Sequence, residues 1–169
     1  MLRAQRKQRP TMKLDQIDQK ILAHLQENAR ITNADLAEKV GLSPTPCLRR
    51  LRRLENDGII KGYHTEINRE LLGVNVTVLI LVKLEKEDDA TLREFENAIK
   101  NRTEVMECYL VTGKFDYFVR VVVPSLAAYE NFLSETLLRM PNVSTVESSF
   151  TLREVERKTV VPLPNNLGR

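Results

Sequence analysis

Four arginines in five residues, Arg49, Arg50, Arg52 and Arg53, crowd the stretch from Ser43 to Gly58, with Ser43 and Thr45 just ahead of them. Guanidinium forks suit phosphate oxygens and guanine edges, so this cluster points to nucleic-acid contact rather than to covalent chemistry. Within the same stretch only Glu55 and Asp57 offer counter-charges, which leads to the expectation that four positive charges stay largely uncompensated. Nothing competes as a catalytic constellation. The histidines are His24 and His64, and no Ser/His/Asp set, paired carboxylates or metal-ligand spacing stands out, so catalytic and metal residues are expected to be none. Cys47 and Cys108 have no CxxC or Cys/His spacing and read as reduced core thiols of a cytoplasmic protein.

The elements that must hold the arginines are legible. Ser43 is a suitable N-cap, Pro44 fits the first turn, and Gly58 suits a left-handed stop. On a helical wheel Cys47, Leu48, Leu51 and Leu54 share one apolar face, while Thr45, Arg49 and Arg53 lie opposite. Upstream, Leu14, Ile17, Ile21, Leu22 and Leu25 make an apolar stripe, with Asp15, Asp18 and Lys20 expected to point away from it. Thr32 and Asp35 have capping-box spacing before a short helix that Gly41 ends. Helix, glycine turn and basic helix make a helix-turn-helix, and the alternating residues 59–67 suggest a short strand or wing. A thiol sensor at Cys47, in the first turn of the basic helix, is an alternative, although the apolar stripe argues for an inert thiol.

The chain has 169 residues, 42% hydrophobic and 29% charged, with a net charge of +3. That charge is unevenly divided. Residues 1–63 carry 13 Lys and Arg against 7 Asp and Glu, whereas residues 64–169 carry 13 against 16. A basic N-terminal third on a mildly acidic remainder suggests a polyanion-binding module joined to a different kind of domain. The most apolar run, residues 76–82, is strand-length, so no membrane segment is expected; residues 1–12 are polar and basic and lack the apolar segment of a secretory signal.

Beyond Gly73 the pattern reads strand, helix, strand, strand, helix, strand. The expected ranges are 74–85, 89–101, 105–111, 116–123, 125–138 and 143–155. The fold class is therefore α+β, an N-terminal (winged) helix-turn-helix domain plus a C-terminal ferredoxin-like βαββαβ sandwich. The expected organisation is a flexible basic arm over 1–12, helix-turn-helix 13–63, linker 64–73, sandwich 74–163 for effector binding and oligomerisation, and tail 164–169. Two helices cover only one face of such a sheet, yet the first strand alternates apolar residues on both: Val76, Val78, Ile80 and Val82 against Leu79 and Leu81. Leu79 and Leu81 are expected at a dimer interface.

The residues Asp15-x-Ile17-Asp18-x-x-Ile21-Leu22, Gly41-Leu42-Ser43-Pro44-Thr45-Pro46-Cys47 and Arg52-Arg53-Leu54-Glu55-x-x-Gly58-Ile59-Ile60 resemble the leucine-responsive regulatory protein/AsnC, or feast/famine, family of transcriptional regulators. Thr112-Gly113-Lys114-Phe115-Asp116-Tyr117 is similar to that family's glycine–aspartate loop, and Thr159-Val160-Val161-Pro162-Leu163 to its ending. The resemblance implies a regulator of amino-acid metabolism that binds double-stranded DNA, has no cofactor, takes a small effector that is usually an amino acid, and forms homodimers that assemble into octamers or similar rings. It also implies that Gly113, Asp116 and Tyr117, with Thr112 and Lys114 beside them, shape the effector pocket. For DNA the expected set is Thr32, Asn33, Ser43, Thr45, Pro46, Arg49, Arg50 and Arg53, with Ser43, Thr45, Arg50 and Arg53 on phosphates and Arg49 on a base edge. An architectural DNA-compacting protein with little sequence preference is the nearest alternative.

Overall fold

A computed structural model describes residues 14–163. The chain divides into two compact units, residues 14–66 with 156–163, and Ile67–Val155.

The first unit is three helices, α1 (Gln16–Glu27), α2 (Asn33–Val40) and α3 (Pro44–Asn56). Asp15 caps α1 in a reciprocal box with Asp18, each carboxylate accepting the other residue's backbone N–H. Thr32 caps α2 by accepting the Asp35 N–H at 3.2 Å, and Gly41 ends it at φ 73°, a left-handed conformation that a side chain strains. Ser43 holds the N-cap position of α3, but its side chain makes no cap hydrogen bond. The three helices bury Ile21, Leu22, Leu36, Ala37, Val40, Cys47 and Leu54 in one core, with Leu51 and Ile59 packed against it. Small Ala37 and the thiol of Cys47 belong to this core, as the crossing of α2 and α3 requires.

Three sequence expectations are corrected here. Leu48, assigned to the apolar stripe, sits at its edge outside this core and is only half-buried. Asp18, expected to face solvent, is 1% exposed. Residues 59–68 form no strand, so the wing has no ladder of its own; Tyr63 instead donates its hydroxyl to Glu55 Oε1 at 2.8 Å. The chain from Glu156 belongs with the first unit. Gln26 on α1 grips the Val161 peptide with both ends of its amide, at 2.6 and 3.2 Å, and Leu163 joins the helical core.

The second unit is β1 (Val76–Leu84), α4 (Asp89–Lys100), β2 (Val105–Leu110), β3 (Tyr117–Val123), α5 (Leu126–Asn131) and β4 (Val143–Phe150). Every neighbouring pair in the sheet is antiparallel, in the order β2-β3-β1-β4, which is the ferredoxin-like arrangement. The helix expected over residues 125–138 changes pitch after α5, to a π turn over Phe132–Thr136 and a 3₁₀ turn over Leu137–Arg139. Phe132 and Leu137, five residues apart and both buried, fit that wider turn. Val78, Ile80, Val82 and Leu84 of β1 bury themselves with Tyr117, Val119 and Val121 of β3 against Phe95, Ile99 and Tyr129 of the helices.

The other sheet face carries Leu79 and Leu81, both half-buried within the single chain. In register beside them stand Arg120 and Phe118 on β3. Phe118 lies 6.3 Å from the Tyr109 ring, and Arg120 binds Glu107 at 2.6 Å. An ion pair rimmed by leucines and aromatic rings faces outward.

Candidate nucleic-acid interface and effector loop

The reverse side of α3 is anchored by Cys47 and Leu54, both fully buried, and this fixes which residues face out. Thr45, Leu48, Arg49, Arg52, Arg53, Asn56 and Asp57 line an open depression of about 470 Å³ along the outward face. Thr45, Arg49, Arg52 and Arg53 are exposed. No acidic residue occupies the first turn, so the helix dipole, the Thr45 N–H and the Ser43 side chain, which makes no cap bond, present an electropositive end, suited to a phosphate.

The four guanidiniums are not equivalent. Arg50 Nη1 lies 2.5 Å from Asp15 Oδ2 and 2.9 Å from Asp18 Oδ1, and Arg53 Nη2 is ion-paired with Asp18 Oδ2. The hydrogen bonds that Arg50 donates to Asp15 and Asp18 hold it above its ordinary pKa, while the Asp18 N–H and then Arg50 hold the Asp15 carboxyl below its own. The expectation of four uncompensated charges is therefore corrected. Arg49 and Arg52 enter no ion pair among the described residues, whereas Arg50 and Arg53 have counter-ions on α1. The acids were sought within α3, and they come from a helix about thirty residues earlier.

The other residues expected at DNA divide in the same way. Thr32 hydroxyl donates to Asp35 Oδ2 at 2.7 Å as part of its cap, and Asn33 Nδ2 donates to the Pro44 carbonyl at 2.9 Å, tying α2 to the start of α3. Pro46 is half-buried in the first turn. Ser43, Thr45 and Arg49 are exposed. The expected DNA-contact set left out Leu48, Arg52 and Asn56, although the helical wheel that places Arg49 outward also brings Arg52 and Asn56 to that side. Cys47 is fully buried, and desolvation pushes its thiol pKa up, opposite to what a reactive thiolate needs.

In the second unit the turn between β2 and β3 brings Thr112, Gly113 and Lys114 together, all exposed. Gly113 has φ 122°, which a side chain disfavours. Lys114 Nζ lies 3.2 Å from Glu147 and 4.9 Å from the centre of the Phe115 ring. Asp116 and Tyr117 are buried beneath this turn rather than exposed with it. Asp116 is 6% exposed and accepts the Leu84 N–H at 2.7 Å and Lys83 Nζ at 3.1 Å. Tyr117, 1% exposed, packs 4.6 Å from Phe95 in the core and donates its hydroxyl to Glu96 at 3.2 Å; burial and that carboxylate push the phenol well above its ordinary pKa. The strand alternation that buries Val119 and Val121 carries Tyr117 to the same side.

Residues 14–61 match a model of winged helix-turn-helix DNA-binding domains, and residues 77–161 match the Lrp/AsnC ligand binding domain. The leucine-responsive regulatory protein of Escherichia coli strain K12 is 41% identical over 151 residues, covering 89% of this chain and 92% of that protein. The chain belongs to the Lrp/AsnC family of transcriptional regulators. A Neisseria meningitidis transcriptional regulator solved as an L-Met complex superposes with a TM-score of 0.85 at 37% identity, covering 90% of this chain and 99% of that one. An AsnC family regulator from Agrobacterium tumefaciens gives 0.85 at 35% identity, covering 91% and 100%. For this Lrp/AsnC chain, then, the depression on α3 belongs to a DNA-binding domain and the β2–β3 turn to a ligand-binding domain. No helix of the described residues is long and apolar enough to cross a membrane, and they hold no cluster of three or more metal-ligating side chains.

Proposed function

We propose that this regulator is amino-acid-responsive and reads operator DNA by laying α3 in the major groove, working in the cytoplasm on the nucleoid. The carrying observation is the exposed pair Arg49 and Arg52 on a helix whose other side is locked into a core by Cys47 and Leu54. Ser43 and Thr45 at the helix start meet phosphates, Arg49 meets a base edge, and Leu48 is placed for a thymine methyl. Arg50 and Arg53 hold the helix in place through their ion pairs with Asp15 and Asp18. Thr32, Asn33 and Pro46 shape the turn between the helices.

The effector site is built around the exposed Thr112-Gly113-Lys114 turn, with Asp116 and Tyr117 fixing its base from within. Close backbone approach at Gly113 and the Lys114 ammonium suit an amino-acid carboxylate. L-Met and L-Leu are the first candidates, given the relatives' names. Leu79 and Leu81 lie at the centre of a homodimer interface, and dimers associate further into octamers or similar rings. Two copies of α3 then face half-sites about one helical turn apart.

The test pairs selection of bound duplexes from a random pool with calorimetric titration of amino acids into the full chain. Enrichment of a two-fold symmetric sequence and heat from L-Met or L-Leu are expected. Binding to all duplexes alike would favour an architectural role, and no heat from any amino acid, with DNA binding unchanged, would remove effector sensing.

A further inference from the structure

Asp15 and Asp18 lie on neither the DNA-facing depression nor the effector turn, yet they hold half of the arginines of α3. Asp18 is 1% exposed and spends one carboxylate oxygen on Arg50 and the other on Arg53. Asp15, half exposed at 51%, adds a second contact to Arg50 at 2.5 Å. Both acids are also bound into the cap of α1, so their carboxylates are fixed by backbone as well as by charge. Two carboxylates against two guanidiniums make a cluster with no net charge. The arginines are nonetheless still within reach of solvent, at 27% for Arg50 and 47% for Arg53, and Arg53 lines the depression beside Arg49 and Arg52.

Resting on the DNA-binding reading above, we propose that Asp15 and Asp18 are positioning residues that act as a built-in counter-ion for α3. They hold the guanidiniums of Arg50 and Arg53 in one orientation and cancel their charge, which restrains phosphate-driven binding to any duplex and leaves discrimination to Arg49, Arg52 and the apolar contact of Leu48. The sequence-independent part of protein–DNA affinity comes from cations neutralising phosphates and releasing counter-ions, with a slope of about 0.9 in log affinity per log salt for each phosphate neutralised. A cation already matched by a buried carboxylate contributes little to that count. Removing the carboxylate charge should therefore tighten binding to irrelevant DNA, the reverse of what a damaged fold does.

The experiment uses the full chain and a random-sequence duplex, with affinity read by fluorescence anisotropy across a salt series and helix content by circular dichroism. In Asp18→Asn the slope should steepen by about 0.9 per bound α3, which is roughly eightfold tighter binding at 0.1 M than at a 1 M reference. Asp15→Asn, which keeps a good N-cap residue, should move the slope in the same direction, and the double variant by about 1.8. Adding Arg53→Gln to Asp18→Asn should return the slope toward the wild-type value. Glu85→Gln, the same change in net charge on the sheet unit, should leave it alone. Discrimination between a selected operator and random duplex should fall as the slope rises. Should Asp18→Asn unfold, Asp15→Asn alone decides. Folded variants with an unchanged or shallower slope would overturn the proposal while leaving DNA binding intact. A wild-type chain that ignores duplex DNA at low salt would instead overturn the DNA-binding reading itself, and this proposal with it.

Discussion

Replacing Asp116 by alanine separates a structural aspartate from a ligand-binding one. Its carboxylate accepts the Leu84 N–H at 2.7 Å in a place where Leu84 is 2% exposed, so alanine leaves that donor buried beside the sheet. An orphaned buried donor costs about 1–3 kcal/mol. The second partner, Lys83, is 31% exposed and already bound to Glu87 at 2.6 Å, so solvent screens its share and the Leu84 donor decides the outcome. The expected loss is therefore about 1–3 kcal/mol in the sheet unit. At about 4–8 °C per kcal/mol for a domain of this size, its melting transition should fall by roughly 5–25 °C. Asp116→Asn retains an oxygen acceptor for Leu84 and should lose less than half as much. Differential scanning calorimetry of the two variants measures both. If Asp116→Ala melts within about 0.5 kcal/mol of wild type while effector binding disappears, the carboxylate serves the ligand and the reasoning from its internal partners fails.

Three further outcomes follow from the same contacts. Asp15 is held below its ordinary value of 3.8, so the carboxylate contributes stability above that value and loses it as pH falls through the lowered one. Acid melts of the helical unit should steepen below about pH 4, and Asp15→Asn should flatten that limb. Cys47, buried with its thiol pushed up, and Cys108, pushed up to about 11 by burial, should react with a thiol reagent at neutral pH much faster after denaturation than before. Rapid native labelling of Cys47 would revive a redox role. Leu81→Asp places a charge at the centre of the open sheet face and should shift the assembly toward monomers in sedimentation, with the far-ultraviolet spectrum unchanged; an unaltered sedimentation coefficient would move the interface elsewhere.

Periodicity made most of the architecture readable. The wheel of α3 separates Cys47 and Leu54 from Arg49, and the alternation of β1 separates Val78 and Ile80 from Leu79 and Leu81, because burial acts on one face at a time. Caps were equally local: Thr32 with Asp35, and Gly41, follow from residues within one turn. The partners of the arginines were not local. Nothing within α3 says that Asp18 will be buried, since an acid in a first helical turn is ordinarily a solvated, dipole-favoured residue. Its burial depends on two guanidiniums more than thirty positions away. Tyr117 followed the same logic in reverse. The glycine loop drew attention outward, while strand alternation carried its ring inward beside Phe95. The docking of Val161 on Gln26 also depends on a residue far away in sequence, and it ties residues from Glu156 to the helical unit.

The most direct measurement of the central claim is the affinity of Arg49→Ala/Arg52→Ala in the full chain for a selected operator and for random duplex, beside wild type. These are the arginines of α3 with no ion pair among the described residues, and neither packs in the helical core. The double variant should keep its helix content, lose affinity for a selected operator, and lose its discrimination between that operator and random duplex. Wild-type affinity and discrimination in that variant would mean that another surface meets the DNA.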